Sequence, residues 1–317
     1  MKSYLDIVDN VLLTGKLKEN RTGVKTLSLA NQHFSHDMSD GFPLLTTKKM
    51  PIKTIAVELE GFIKGITSKT WYQDRGCRIW NEWANPCVVQ NKIGDMAESG
   101  GDTDIFNYVD LKKRIQLQED DLGPIYGYQW RRFGEAYDED DNGMLKGFDQ
   151  FAYIVKALHD NPSDRRMVCS AWHPNQFSRM ALPPCHLAWV VTVIDDTLHL
   201  HWTQRSCDLA LGVAFNIASY ALLMTLLCAE ANLKPGNLSG LLCDCHIYEN
   251  HIKPMVMQLE RKPYALPTLR VNNDTFLEQE KRNHRSNRQF NIFNWTHKDI
   301  KLTGYESHPK ISLSVAI

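Results

Sequence analysis

The sequence predicts an α/β protein in which amphipathic helices and β-rich strands share one core. Hydrophobic residues make up 43% of the 317 residues, which is ample for a sizeable buried core. Apolar residues recur at helical spacing near the N-terminus, as at Leu5, Val8 and Val11, whereas apolar and polar residues alternate over 197–203 as in a strand. Both periods occur repeatedly along the chain, so helices and strands are both expected.

The elements follow from these periods and from the turn residues between them. The strands 187–194 and 197–203 are separated only by two aspartates, which indicates a hairpin. The helix 215–231 is strongly apolar and should be buried. We expect helices over 3–15, 52–63, 148–158, 215–231 and from 246 to about 259, a short helix over 109–117, and strands over 26–29, 167–172, 187–194, 197–203, 238–242 and 269–271.

Charge and targeting signals narrow the class of protein. Lys and Arg number 36 against 37 Asp and Glu, so the net charge is −1 and a general polyanion binder is not expected. Any phosphate site must then come from local arginine clusters. We expect no apolar run of membrane-spanning length, and residues 1–6 lack the apolar segment of a secretory signal, so we expect a cytoplasmic protein with no DNA or membrane partner.

The cysteines indicate reduced thiols rather than a disulfide framework. Eight cysteines are sparse and irregularly spaced in so long a chain. Cys243, Cys245 and His246 could suggest a metal site, but no second ligand pair stands at zinc-finger spacing. We therefore expect no metal.

Cys185 is the candidate nucleophile. It stands behind two prolines and is separated from the predicted strand 187–194 only by His186. A thiol acts as a nucleophile only as the thiolate, which cationic neighbours favour, and the Arg165-Arg166 pair and Arg205 are candidates for that role. From the residues alone, a buried structural cysteine remains the alternative.

Asn216 is a polar residue in an otherwise apolar helix, so its amide needs partners. It could brace the core, or present both a donor and an acceptor to one edge of a ligand.

Several long motifs resemble the thymidylate synthase family. They are Met180-Ala-Leu-Pro-Pro-Cys-His186, Gln204-Arg-Ser-Cys-Asp208, Leu211-Gly212, Phe215-Asn-Ile-Ala-Ser-Tyr220 and Val315-Ala-Ile317. The resemblance extends from Arg21 to the last residue and is interrupted mainly between 84 and 120. It implies a single domain over 1–317 with a small-domain insertion at about 84–120, built on a bent mixed sheet with flanking helices and paired sheet to sheet in a homodimer.

The resemblance also implies an activity. The enzyme would methylate deoxyuridylate (dUMP) to thymidylate (dTMP), with 5,10-methylenetetrahydrofolate as the donor of carbon and hydride, and would release dihydrofolate. Cys185 would add to C6 of the uracil, and Glu58, with Tyr126 and water, would assist removal of the C5 proton. The remaining roles implied are catalytic for Asn216, Arg205 and Asp208; substrate binding for Arg21, Arg165, Arg166, Gln204, Arg205, Ser206, Asn216, His246 and Tyr248, with Arg165 and Arg166 reaching the partner's site; and folate binding for Ile79, Trp80, Leu182, Asp208, Leu211, Gly212, Phe215, Ala316 and Ile317.

The sequence departs from the family pattern at a few positions. Glu60 and Gly61 stand where many members carry bulkier apolar residues, and Cys243 stands where a glycine is typical; some members have glycine at Leu242 too. Two other functions stay open. One is a hydroxymethylase of the same superfamily acting on dUMP or dCMP, in which water replaces hydride, and the other is a nucleotide- or RNA-binding regulator without catalysis.

Overall fold

The computed structural model describes residues 1–83, 120–137, 147–271 and 290–314. The predicted helix over 109–117 and nearly all of the predicted insertion lie outside these ranges. The chain divides into two compact units, the first comprising Met1–Ala56, Ile154–Val168 and Cys185–Ile317 and the second Val57–Tyr153 and Cys169–Pro184. The single domain over 1–317 stays a prediction.

The described elements mix helices and strands, as predicted. The helices are α1 (Lys2–Thr14), α2 (Ile52–Lys64), α3 (Lys69–Asp74), α4 (Tyr126–Arg132), α5 (Gln150–Asp160), α6 (Gly212–Ala231) and α7 (Ile252–Leu259). The strands are β1 (Lys16–Lys18), β2 (Thr26–Asp37), β3 (Val168–Ser170), β4 (His186–Ile194), β5 (Thr197–Gln204), β6 (Cys207–Asp208), β7 (Lys234–Tyr248), β8 (Thr268–Val271) and β9 (Ile300–Thr303).

A seven-stranded mixed sheet dominates the first unit. Its order is β1-β2-β7-β5-β4-β3, with β6 paired to β7 and β3 crossing the division between the units. Strand β7 runs antiparallel to β2 and parallel to β5, and β4 and β5 form the predicted hairpin. The predicted mixed α/β fold is therefore confirmed.

Strand β7 corrects one sequence-based assignment. We expected a helix from His246, but His246 and Tyr248 pair with Ser28 and Thr26 of β2, and α7 begins only at Ile252. The long antiparallel ladder with β2 outweighs the weak helical period of this polar stretch. Strand β2 likewise continues to Asp37, well past its predicted end.

Helix α6 forms the centre of the first unit. It has 20 residues, and an 18-residue stretch of it has a mean hydropathy of 1.8 and is 67% buried. By length and hydropathy alone it could span a membrane, so the expectation that no run is long enough was wrong. Its burial instead identifies a core helix, as predicted for 215–231, and Asn232 ends it in a left-handed conformation with φ 55° and ψ 44°.

The second unit packs α3 and α4 against the C-terminal part of α2. Gly127 permits the contact, since a Cβ at that position would lie 2.7 Å from Cα of Phe62. Arg131 of α4 forms an ion pair with Asp149 and donates to the carbonyl of Ile63 over 2.7 Å. These contacts hold the α2 segment that carries Glu58.

Candidate active site

Cys185 lies half-buried immediately before β4, as the sequence predicted. The backbone N–H of Arg205 donates to its carbonyl oxygen over 2.8 Å. His186 and Gln204 are paired in register across β4 and β5. The ends of these two strands therefore bring the thiol-bearing residue and the Gln204-Arg205 segment together.

His186 is a neutral neighbour of this thiol-bearing residue. Its Nδ1 lies 2.8 Å from the hydroxyl of Tyr220, whose ring stacks on Trp202 with a centroid distance of 5.2 Å. Burial lowers the pKa of His186 to about 3. It therefore carries no charge at neutral pH and supplies no cation to stabilise a thiolate.

A chain of hydrogen bonds fixes the amide of Asn216. The indole Nε1 of Trp202 donates to Oε1 of Gln204 over 3.2 Å, and Nε2 of Gln204 donates to the carbonyl of Ser206 over 3.0 Å. The same Nε2 donates to Oδ1 of Asn216 over 3.1 Å. Because an indole N–H can only donate and a carbonyl can only accept, the orientation of the Gln204 amide is determined, and with it that of Asn216.

Asp208 organises the turn that leads from β6 into α6. Its Oδ1 accepts from the backbone N–H of Ala210 over 2.9 Å and of Leu211 over 3.1 Å. The turn is also held to β7, because Leu209 N–H donates to the carbonyl of His246 over 3.0 Å. Asp208 thereby sets the start of the helix that carries Gly212, Phe215 and Asn216.

Lys48 is a residue of this region that the sequence analysis missed. Its side chain is only 5% exposed, and its ammonium donates to the carbonyl of Ala210. Burial lowers its pKa to about 8, although the nearby charge of Asp208 opposes this shift. No sequence signal distinguished it, because a lysine beside Lys49 in a polar segment normally lies on the surface.

Arg21 lies in the loop before β2, and His246 and Tyr248 lie at the end of β7. The ring of His246 contacts that of Tyr248 edge to face at 5.5 Å, and its Nδ1 lies 3.0 Å from the carbonyl of Asp244. Burial raises the pKa of Tyr248, while Thr22 and the charge of Arg21 oppose the shift. The Arg21 loop therefore lies close to the end of β7.

The Arg165-Arg166 pair lies exposed in the turn before β3. The guanidinium of Arg166 binds both carboxylate oxygens of Asp164, at 2.9 and 3.1 Å, while 79% of its side chain stays exposed. Asp164 thus orients the Arg166 fork without burying it.

The second unit holds the candidate catalytic carboxyl. Glu58 is only 8% exposed, and burial raises its pKa to about 7. The indole of Trp80 lies near enough to Glu58 to favour the charged form of this carboxyl. The indole nitrogen nevertheless forms no hydrogen bond of good geometry with the described residues. The ring of Phe62 contacts those of Trp80 and Tyr126, at centroid distances of 6.5 and 5.0 Å, and these two rings lie 6.0 Å apart, so Tyr126 belongs to the same cluster.

The other predicted site residues are distributed between the units. Ile79 and Leu182 are half-buried in the second unit, and Ser206, Leu211, Gly212 and Phe215 are half-buried in the first. Ala316 and Ile317 lie outside the described residues. The described cysteines are free thiols, and within the described ranges no group of three or more His, Cys, Asp or Glu side chains could hold a metal ion.

The protein has a mixed α/β fold with a thiol at a strand end, next to an arginine and an oriented amide. These features define the class of enzymes with a cysteine nucleophile. Residues 2–317 match the thymidylate synthase family model. The chain is 38% identical over 317 residues to "Thymidylate synthase" of Mycoplasma genitalium, covering 100% of both chains. It is 36% identical over 315 residues to "Bifunctional dihydrofolate reductase-thymidylate synthase" of Paramecium tetraurelia, covering 99% of this chain but 61% of that protein. The chain belongs to the thymidylate synthase family, which confirms the resemblance and the prediction of an enzyme.

Proposed function

We propose that the chain catalyses the reductive methylation of dUMP to dTMP. The family's cosubstrate, 5,10-methylenetetrahydrofolate, supplies both the carbon and the hydride and leaves as dihydrofolate. Family membership over the whole chain supports this activity. The structural observation that carries it is the Trp202–Gln204–Asn216 chain, in which the end of β5 beside Cys185 fixes the Asn216 amide of α6.

Cys185 is the proposed nucleophile. Its thiolate adds to C6 of the uracil, which makes C5 nucleophilic enough to attack the one-carbon unit of the folate. A half-buried thiol suits this role, because the sulfur must be reachable by a planar base. Arg205 adjoins it through the backbone hydrogen bond and is the cation proposed to favour the thiolate, since His186 is neutral.

Asn216 is proposed to recognise the base. Because its Oδ1 end faces Gln204, its Nδ2 end is the one that can donate to the uracil carbonyl at position 4. Its Oδ1 retains a second lone pair that can accept from the ring N–H at position 3. Gln204 therefore acts on the base through Asn216.

Glu58 is proposed to assist removal of the proton from C5, together with Tyr126 and ordered water. A carboxyl with a pKa of about 7 is well matched to proton transfer near neutral pH. The surrounding Trp80 and Phe62 keep this carboxyl in an apolar setting. Asp208, in β6 before the turn into α6, is proposed to bind the folate.

The phosphate is proposed to be bound by Arg21, Arg205 and Ser206 of one chain and by Arg165 and Arg166 of the partner in a homodimer. Planar guanidinium groups bind phosphate in a bidentate manner, and the Arg166 fork is exposed and already oriented by Asp164. The burial pattern of β5, which alternates half-buried and buried residues, supports a sheet-to-sheet dimer because it leaves one sheet face incompletely covered.

The sugar and the folate are proposed to be bound by the other site residues. His246 and Tyr248 contact the sugar hydroxyl, while Ile79, Trp80, Leu182, Leu211, Gly212, Phe215, Ala316 and Ile317 contact folate. We include a single-domain organisation and a cytoplasmic location in the proposal.

Mass analysis of the nucleotide product tests the function. The chain should convert dUMP and methylenetetrahydrofolate into dTMP and dihydrofolate. A 5-hydroxymethyl product would instead identify the hydroxymethylase alternative, and binding of dUMP without turnover would identify a non-catalytic regulator. Either result would contradict the proposal.

A further inference from the structure

Because Gly61 has no side chain, it leaves a notch on the surface of α2. The ring of Tyr72 from α3 fills this notch. A Cβ at Gly61 would lie 2.3 Å from both Cε1 and the hydroxyl oxygen of Tyr72. The Tyr72 side chain is fully buried, with 0% exposure. The ring of Tyr72 therefore occupies the space that a side chain at position 61 would fill.

Tyr72 is held firmly in this position. Its hydroxyl donates to the carbonyl of Ile66 over 3.2 Å, and its own carbonyl accepts from the N–H of Cys77 over 2.9 Å. Ser68 caps the short helix, accepting from Trp71 N–H over 3.1 Å. The backbone bond and the cap fix the segment that carries Tyr72, and the ring itself cannot move away from Gly61 without breaking the hydrogen bond to Ile66.

Glu58 precedes Gly61 by one helical turn on the same face of α2. The titratable groups around it are Tyr72 and Cys77, from α3 and the segment after it, and Glu60 on its own helix, which is paired with Lys64 at 2.6 Å. Burial and the charge of Glu58 raise the pKa of Tyr72 and bring that of Cys77 to about 12, so both are neutral near pH 7.

We propose that Tyr72 is a positioning residue for Glu58, because its ring closes the face of α2 that Gly61 leaves open and keeps bulk water from the Glu58 carboxyl. This inference rests on the proposed catalytic role of Glu58. Filling the volume is what matters, rather than the hydroxyl group, which is already engaged by Ile66. An apolar side chain at position 61 should therefore be able to replace the ring.

Three variants test this inference. Tyr72→Ala empties the notch, Tyr72→Phe keeps the ring without the hydroxyl, and Gly61→Leu combined with Tyr72→Ala refills the notch from α2. The pKa of Glu58 is measured by NMR of ¹³C-carboxyl-labelled glutamate, with the Glu58 signal assigned from Glu58→Gln. The pH dependence of kcat is measured in parallel, and Tyr72→Leu replaces Tyr72→Ala in both sets if the alanine variant does not fold.

We expect the Glu58 pKa of about 7 to fall by about one unit or more in Tyr72→Ala, since access to water removes the cause of the rise. It should stay unchanged in Tyr72→Phe and recover in the double variant, and the midpoint of kcat against pH should move with it. An unchanged pKa in Tyr72→Ala, or an equal fall in Tyr72→Phe, would overturn the inference. If the Glu58 pKa changes as expected but the wild type shows no turnover, the proposed function would be contradicted, whereas the inference about Tyr72 would stand.

Discussion

Gln204 Nε2 donates to Asn216 Oδ1 over 3.1 Å, and this contact gives the Asn216 amide a single orientation. Trp202 fixes Gln204 from the other side over 3.2 Å. The donors and acceptors of the amide are thereby assigned before any base binds. Base choice then depends on which pyrimidine matches this arrangement.

Replacing Asn216 by aspartate should shift the preference from dUMP towards dCMP. A carboxyl can accept from the cytosine amino group and, when protonated, donate to the bare ring nitrogen. A mismatched buried polar pair costs roughly 1 to 3 kcal/mol, or about ten- to a hundredfold in discrimination. The measurement is kcat/KM for both nucleotides in wild type and Asn216→Asp. If the ratio does not change, the Leu242-Cys243 backbone would read the base instead.

Gln204→Leu should weaken discrimination between the bases, although residue 204 acts on the base only through Asn216. Asn216 would lose the donor that orients it, so its amide could turn and accept the wrong pyrimidine, and we expect the dUMP to dCMP ratio of kcat/KM to fall by about tenfold. Gln73→Leu is the control, because Gln73 is an exposed glutamine whose amide donates to Asn81 over 2.9 Å. An unaltered ratio in Gln204→Leu would show that Asn216 is oriented by other contacts.

Glu58→Gln should stabilise the protein at neutral and higher pH. Burial raises the folded-state pKa from 4.5 to about 7, so the folded state binds more protons than the unfolded state between these values. The stability contributed by Glu58 therefore falls as pH rises through that window, and the penalty levels off above pH 7 at about 3 kcal/mol.

Denaturant unfolding at several pH values measures this effect, with the exposed Glu249→Gln as control. The difference in free energy of unfolding between Glu58→Gln and wild type should be largest above pH 7 and decrease towards pH 4.5. A difference that does not vary with pH would mean that the folded protein does not hold Glu58 with a raised pKa.

The proposed dimer predicts complementation between inactive chains. If Arg166 serves the partner's site, a Cys185→Ser chain mixed with an Arg166→Ala chain forms heterodimers in which one site has both defects and the other has none. Activity should therefore recover on mixing. The control pairs Cys185→Ser with a chain that carries both substitutions, which should stay inactive. Lack of recovery despite demonstrated subunit exchange would mean that Arg166 acts within its own chain.

Strand ends were the most predictable part of the candidate site. Cys185 and Gln204-Arg205 each adjoin a strand with a clear alternating pattern, and antiparallel pairing of consecutive strands then brings them together. The apolar pattern of α6 was equally informative, because Asn216 stood out against it.

Long-range pairing and packing were not predictable. The C-terminal end of β7 reads as helical until its partner β2 is known, and two strands far apart in sequence carry no mutual signal. Lys48 looks like a surface residue in sequence, and its burial depends on the turn at Ala210. The filling of the Gly61 notch by Tyr72 likewise requires the packing of two helices.

The product formed by wild type and by Cys185→Ser tests the central claim most directly. Each protein is incubated with dUMP and methylenetetrahydrofolate, with Cys228→Ser as the matched control because Cys228 is a buried thiol of helix α6. The account predicts dTMP and dihydrofolate from wild type and Cys228→Ser, and no turnover from Cys185→Ser although dUMP still binds. Near-normal dTMP formation by Cys185→Ser, or a 5-hydroxymethyl product from wild type, would contradict it.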